Sequence, residues 1–349
     1  MKFCLFSDFH YKKRMYASTI PMMEEIVDKA AKNRVDFILH CGDLCNDYSG
    51  SPELFDCLLE NRWDIASYGV YGNHELESEN NSMSVVTPKL TNRITGVVWG
   101  TDSKTIENGC IAYYYFDFED IRIICLDTSY SFNVAEERWE HNKSESWCAP
   151  RENIKTYSLG DRQLRWLQAV LDDAIEKNKH CIVVSHAPFL NEWRTNDIRM
   201  NREEDVETIL ANANKRKEKS VMACFSGHWH TDRFIVKNDI LFFDTNSAVN
   251  GLWEEGHVES HYNREHAYLF TDYDNEGKPL GEGEMVSLDN TYMGKETWYF
   301  EKPLSAIVEV LEDCTIKIEG MQTKWAYDIS PITKDPSVRP YISSLVFKP

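Results

Sequence analysis

No stretch of this 349-residue chain approaches the roughly 20 consecutive apolar residues of a membrane span. Its opening, "MKFCLFSDFH", runs directly into a strand-like segment with no apolar leader of the secretory kind. A helical membrane protein is excluded, and no export is expected. Basic blocks are also missing: 38 Lys and Arg stand against 57 Asp and Glu, a formal net charge of −19. A surface of that sign repels polyanions, which argues against long nucleic acid and anionic membrane as partners. Small anionic substrates stay open if metal ions reverse the charge locally; elsewhere the acidity serves solubility. Paired cysteines are lacking too. The ten Cys are scattered, several inside apolar runs such as "KFCLF" and "RIICLD", as reduced thiols that pack as small hydrophobes. Cys41 and Cys45 have no second close pair to complete a zinc ribbon. A cytoplasmic location is therefore expected. There is no internal repeat and no low-complexity tract.

What is present is a soluble globular pattern of short apolar runs alternating with amphipathic segments. "KFCLFS", "VDFILHCGD" and "IASYGVYGN" read as strands, and "PMMEEIVDKAAKNR" and "PELFDCLLENR" between them as helices, with Pro21 suited to a first helical turn. This order implies a parallel sheet covered on both faces. "CIAYYYFDFEDIRIICLDTS" reads as a hairpin turning near Phe118–Asp120, and "RFIVKNDILFFDT" as one turning at Lys237–Asp239. Leu164, Leu167, Leu171 and Ala174 share one helical face of "LGDRQLRWLQAVLDDAIEKN". "CIVVSH" and "VMACFSGH" are two further buried strands. Residues 78–96 and 131–158 read as long polar loops, and 274–287 as a boundary. Beyond it, "AIVEVLEDCTIKIEGM" alternates with period 2, as a hairpin that must dock its apolar face. The expected division is 1–280 for the main domain and 281–349 for a β-rich extension packed on it.

Each core strand ends in a possible metal ligand. Asp8 and His10 follow the first, Asp43 the second, Asn73 and His74 the third; His186 follows "CIVVS", and His228 and His230 follow "ACFSG". Singly, each has a plain reading as a turn, a cap or a packed imidazole. Jointly they put carboxylate, amide and imidazole groups at five strand ends, where ligands bind in open α/β sheets. Even without His74, seven candidate ligands exceed the needs of one ion, so two ions about 3.5–4 Å apart and sharing a carboxylate are expected, with His228 and His230 serving different ions. Nitrogen and oxygen donors without thiolate suit Mn, Fe, Zn, Co or Ni. Gly42, Gly72 and Gly227 then serve sharp turns where a side chain would obstruct the site.

In order along the chain, "SDFH", "CGDL", "YGNHE", "SHAP" and "SGHWH" resemble the motif set of the calcineurin-like metallophosphoesterase superfamily, spread over roughly residues 7–231. The resemblance implies a four-layer α/β/β/α sandwich of two mixed sheets, here with a C-terminal β extension. It implies one ion on Asp8, His10, Asp43 and His230 and a second on Asp43, Asn73, His186 and His228, Asp43 bridging, with His74 off the metals and facing the scissile phosphate. "GDLCNDY" departs from the run that follows G-D in the protein Ser/Thr phosphatases. Tyr48, five residues after Asp43, has the wrong offset for the tyrosine ligand of purple acid phosphatases. The match is nearest to bacterial phosphodiesterases of the cyclic-nucleotide type.

The expected function is metal-dependent hydrolysis of a small phosphorylated substrate, a phosphodiester in preference, by a hydroxide bridging two divalent ions. His74 acts as general acid or phosphate stabiliser, and Glu75 either orients His74 or has a surface or capping role. A phosphomonoesterase is the alternative; a nuclease or a metal-free scaffold of the same fold are further ones. Trp193, Trp253 and Tyr48 are candidates to line a cleft, with buried packing as their plainer reading.

Overall fold

The computed structural model of the chain describes residues 1–11, 20–45, 52–76, 96–100, 113–128, 130–133, 138–141, 154–190, 203–252, 258–259, 297–325, 332–333 and 339–349. Its first sheet is built from β1 (Lys2–Phe6), β2 (Phe37–His40), β3 (Ala66–Gly69), β17 (Ala306–Val310), β18 (Ile316–Glu319) and β20 (Leu345–Phe347), in the order β20-β18-β17-β1-β2-β3. The second holds β4 (Val98–Trp99), β5 (Tyr114–Phe118), β6 (Ile121–Cys125), β10 (His180–Val184), β11 (Val221–Ser226), β12 (Arg233–Lys237) and β13 (Ile240–Asp244), in the order β12-β13-β11-β10-β6-β5-β4. Smaller pairings join β7 (Tyr130–Asn133) with β8 (Arg138–His141) and β9 (Ile154–Ser158), β14 (Asn250–Leu252) with β16 (Thr297–Tyr299), and β15 (Val258–Glu259) with β19 (Ile332–Thr333). The helices are α1 (Ile20–Lys32), α2 (Pro52–Leu59), α3 (Asp161–Glu176) and α4 (Glu203–Arg216).

The apolar runs of the central strands follow from burial on both faces. In β1, Phe3 and Leu5 enter the core between the sheets, whereas Cys4 and Phe6 pack under α1 and α2. In β10, Ile182 and Val184 face the first sheet, and Cys181 and Val183 face α3 and α4. Phe3 stacks on Phe37 at 5.3 Å within its sheet and meets Phe225 of the other sheet edge-on at 5.8 Å. In α1, Met23, Ile26, Val27 and Ala30 recur at helical spacing and are buried; in α3, Leu164, Leu167, Leu171 and Ala174 do the same. The layers are therefore helix, sheet, sheet, helix. Each sheet is mixed: β1, β2 and β3 run parallel while β17 is antiparallel to β1, and β6, β10, β11 and β13 run parallel while β5 and β12 are antiparallel to their neighbours.

Both internal hairpins turn where the sequence placed them, at Glu119–Asp120 and Asn238–Asp239. Two segments differ from the reading above. Residues 131–158 are not one loop: they contain β7, β8 and β9, strands of four or five residues too short to show a sustained period. The second is α4, a helix whose buried stripe is Val206, Leu210 and Ala213. The C-terminal hairpin β17–β18 enters the first sheet beside β1, with Lys2 opposite Glu309 and Leu5 opposite Ala306. Residues 274–287 and nearly all of 78–96 lie outside the described residues.

Candidate metal centre

The parallel strands of both sheets deliver their C-terminal ends to one edge, and all eight sequence-predicted residues meet there. Backbone pairing continues past the strands and sets the loops: Asp8 N–H donates to Gly42 O at 3.0 Å, His10 N–H to Asp43 O at 2.9 Å, and Gly227 N–H to His186 O at 2.9 Å. Five of the seven candidate ligands adopt the left-handed backbone region uncommon for residues with a Cβ: Asp8 (φ 52°), His10 (51°), Asp43 (50°), His228 (77°) and His230 (54°). Strain of this kind collects where side chains are held in place for chemistry. Space is short as well. A Cβ on Gly227 would fall 1.9 Å from Ser7 Oγ and 2.4 Å from Asp8 Oδ2; one on Gly72 would fall 1.9 Å from Asp43 Oδ1.

The donor atoms form two groups with a carboxylate between them. In the first, His10 Nε2 and His230 Nε2 lie 2.8 Å apart. Asp8 Oδ1 lies 3.3 Å from His230 Nε2 and 3.7 Å from His10 Nε2. This oxygen is fully buried and accepts no hydrogen bond, so an electrophile of another kind fits it. In the second group, His186 Nε2 lies 3.1 Å from His228 Nδ1, 3.1 Å from Asn73 Oδ1 and 3.2 Å from Asp43 Oδ2. Asp43 Oδ2 is also 3.9 Å from His10 Nε2. Its partner Oδ1 accepts the backbone N–H of His74 at 2.8 Å, which aims Oδ2 inward. Asp8, His10 and His230, and separately Asp43, His186 and His228, are thus grouped closely enough to hold an ion, and so are His10, Asp43 and His74. His74 Nε2 is 3.9 Å from Asp43 Oδ2, yet its side chain is 24 % exposed where that of Asp43 is 2 %, so the imidazole stands at the mouth.

The surroundings suit such ligands. His186 Nδ1 meets the Cys41 carbonyl at 2.7 Å, which makes Nδ1 the protonated nitrogen and turns the Nε2 lone pair inward once the ring is neutral. Asp8 Oδ2 accepts His228 N–H at 2.9 Å and the Ser7 hydroxyl, and Ser247 Oγ donates to Asp8 O at 2.7 Å. Burial alone would raise the Asp8 carboxyl, but His230, His10 and His186 outweigh it and hold the group well below the usual range; Asp43 is lowered in the same way by His186, His74 and His10. Burial lowers His186, but Asp43 outweighs it and raises the imidazole to about 10, while burial, with His186 beside it, pushes His228 down to about 3. A cation held at this nitrogen would take the place of the His186 proton.

Glu75 does not sit on His74. Its buried carboxylate accepts backbone N–H groups from Gly72 and from the Asp43 loop. The reading from sequence missed Ser7 and Ser247; the signal for Ser247 was the polar run "DTNS" following a fully buried strand. Tyr48, Trp193 and Trp253 lie outside the described residues.

The sequence model described as calcineurin-like phosphoesterase matches residues 1–232. The chain is similar to a manganese-dependent ADP-ribose/CDP-alcohol diphosphatase of Danio rerio, 22% identical over 249 residues, which span 63% of this chain and 74% of that protein. In shape it is similar to a dimetal phosphatase from Danio rerio, with a TM-score of 0.57 at 16% identity, over 96% of this chain and 99% of that one.

Proposed function

The chain belongs to the calcineurin-like phosphoesterase family and is a metal-dependent hydrolase of phosphoester bonds, and from that premise we propose that it cleaves a small disubstituted phosphate or diphosphate at a two-ion centre. The observation that carries the assignment is the position of Asp43 Oδ2, 3.2 Å from His186 Nε2 of one donor group and 3.9 Å from His10 Nε2 of the other. Asp8, His10, Asp43 and His230 would hold one divalent ion, and Asp43, Asn73, His186 and His228 the second. When bound, such ions make water a nucleophile near neutral pH and neutralise charge on the phosphate oxygens. The chain supplies the rest. Asp8 and Asp43 bring the negative charge that draws the cations in, and the paired backbone of the strand ends fixes where they sit. His74, at the mouth, protonates the leaving oxygen or stabilises the phosphate.

A substrate with two substituents on phosphorus is supported by the relative's substrates, since ADP-ribose and CDP-alcohols are diphosphates. The net charge of −19 supports a small substrate over a polymer. No helix among the described residues is long and apolar enough to cross a membrane. The eight described cysteines are thiols, which supports a cytoplasmic location. For the domain division we keep 1–280 and 281–349, with the extension part of the same packed body through β17.

The test is a panel of phosphomonoesters, cyclic nucleotides, glycerophosphodiesters and nucleoside diphosphate conjugates assayed with Mn²⁺. Turnover concentrated on disubstituted compounds is expected. Turnover confined to monoesters makes the protein a phosphomonoesterase instead, and none at all with metal bound removes the catalytic reading.

A further inference from the structure

Glu75 is 1% exposed, and both of its oxygens face backbone amides. Oε2 accepts the N–H groups of Gly72 at 2.6 Å and Asp43 at 3.0 Å; Oε1 accepts those of Leu44 at 2.5 Å and Cys45 at 3.2 Å. Three of the four donors are consecutive, and they belong to a loop that turns through two left-handed residues, Gly42 (φ 96°) and Asp43 (φ 50°). Such a turn points successive N–H groups inward, and a buried carboxylate satisfies them together. The fourth donor, Gly72, belongs to the loop after β3, so Glu75 ties two strand ends to each other. We infer that Glu75 is a positioning residue for the bridging carboxylate: it clamps the Asp43 loop so that Oδ2 lies between the two donor groups. It touches neither substrate nor cation and acts through Asp43. This rests on the proposed bridging role of Asp43.

A carboxamide of the same size cannot do this, because its nitrogen donates. In Glu75→Gln, two of the four backbone N–H groups would face an NH₂ group, and the loop must shift to relieve them. The experiment titrates full-length, metal-free Glu75→Gln and Asp43→Asn with Mn²⁺, following affinity by calorimetry and the bridged pair by its exchange-coupled electron paramagnetic resonance signal. For Glu75→Gln, affinity should fall about 10–100-fold at one or both sites, with the coupled signal lost at limiting Mn²⁺ and recovered, together with kcat, in excess. A role confined to stability would lower the melting temperature and leave affinity and coupling intact; that result overturns the inference. If Asp43→Asn loses metal while Glu75→Gln does not, only the positioning role fails. If Asp43→Asn binds two ions as tightly as the native protein, the bridging reading fails and takes this inference with it. Should Glu75→Gln not fold, amide exchange in the native protein decides: residues 43–45 should be protected as β2 is, and rapid exchange there refutes the clamp.

Discussion

The two sheets bring different chemistry to the shared edge. The first contributes every oxygen donor, Asp8, Asp43 and Asn73, along with His10 and His74; the second contributes imidazoles alone, His186, His228 and His230. Neither edge would make a centre by itself. One lacks nitrogen donors to complete two coordination shells, and the other lacks negative charge. What joins them is an apolar core and, at the edge itself, ties such as the His186 ring on the Cys41 carbonyl at 2.7 Å and the His228 N–H on Asp8 Oδ2 at 2.9 Å. On the proposed ligand assignment, inter-sheet packing is a catalytic variable, because sliding one sheet against the other by about an ångström would open both donor groups.

The strongest way to break the comparison is to remove strands from one side. Truncation near residue 285 deletes β17, β18 and β20 and, with them, Phe300, Leu304, Ala306, Val308, Val310, Ile316, Ile318, Ile342 and Phe347 from the inter-sheet core. At roughly 1.5–3 kcal/mol for each large buried side chain, the loss is comparable to or larger than the 5–15 kcal/mol that typically holds a domain together. The truncated chain should be unfolded by circular dichroism and take up no Mn²⁺ specifically. A cooperative melt with native activity would show that β1–β3 hold the first sheet without it.

Next in size is the contrast between the edges themselves. Asp43→Asn, on the first sheet, should strip both ions, while His230→Ala, on the second, should leave about one of the two per chain. Elemental analysis after gel filtration distinguishes them. Equal losses would mean that Asp43 belongs to a single ion. Smaller again is His74→Ala. Metal content should stay near native while turnover drops by about 10²–10⁴-fold. A nitrophenyl ester, which needs little proton donation, should lose less. Loss of metal in this variant would make the imidazole a ligand.

The same comparison shows what was legible in the sequence. Strand ends were readable on both sheets, since a parallel strand buried on two faces is a short apolar run that stops abruptly, as "FCLF" stops at Ser7-Asp8 and "ACF" at Ser226-Gly227. Alternation also showed β17–β18 as a hairpin. It did not reveal the partner strand, because periodicity encodes faces and not neighbours; the pairing of Lys2 with Glu309 spans nearly the whole chain. In β7 and β8, "YSFN" and "RWEH" are too short and polar to register as strands at all. The grip of Glu75 depends on how two loops fold against each other, and no spacing in "GNHE" carries that.

The smallest expected effect probes a peripheral tie between the sheets. Asp232 lies two residues beyond His230, on the second-sheet side, and Ser343 lies just before β20 of the first sheet. Ser343 N–H donates to Asp232 Oδ1 at 2.9 Å, and its hydroxyl donates to Oδ2. Nearby, the Asn246 amide reaches the carbonyls of Arg339 at 2.7 Å and Tyr341 at 3.1 Å, so the C-terminal segment is held at several points. Ser343→Ala removes one of these bonds and keeps the backbone one. The cost should be about 1–2 kcal/mol, since a buried carboxylate oxygen loses its partner, and it should appear as a modest drop in the denaturation midpoint. Metal affinity should change less than threefold, because the Ser343 backbone N–H still holds Asp232 and the His186 and His228 ties are untouched. A large fall in Mn²⁺ affinity with little change in midpoint would reverse that ranking. It would place the control of the second-sheet histidines in the C-terminal segment, outside the strand ends that carry them.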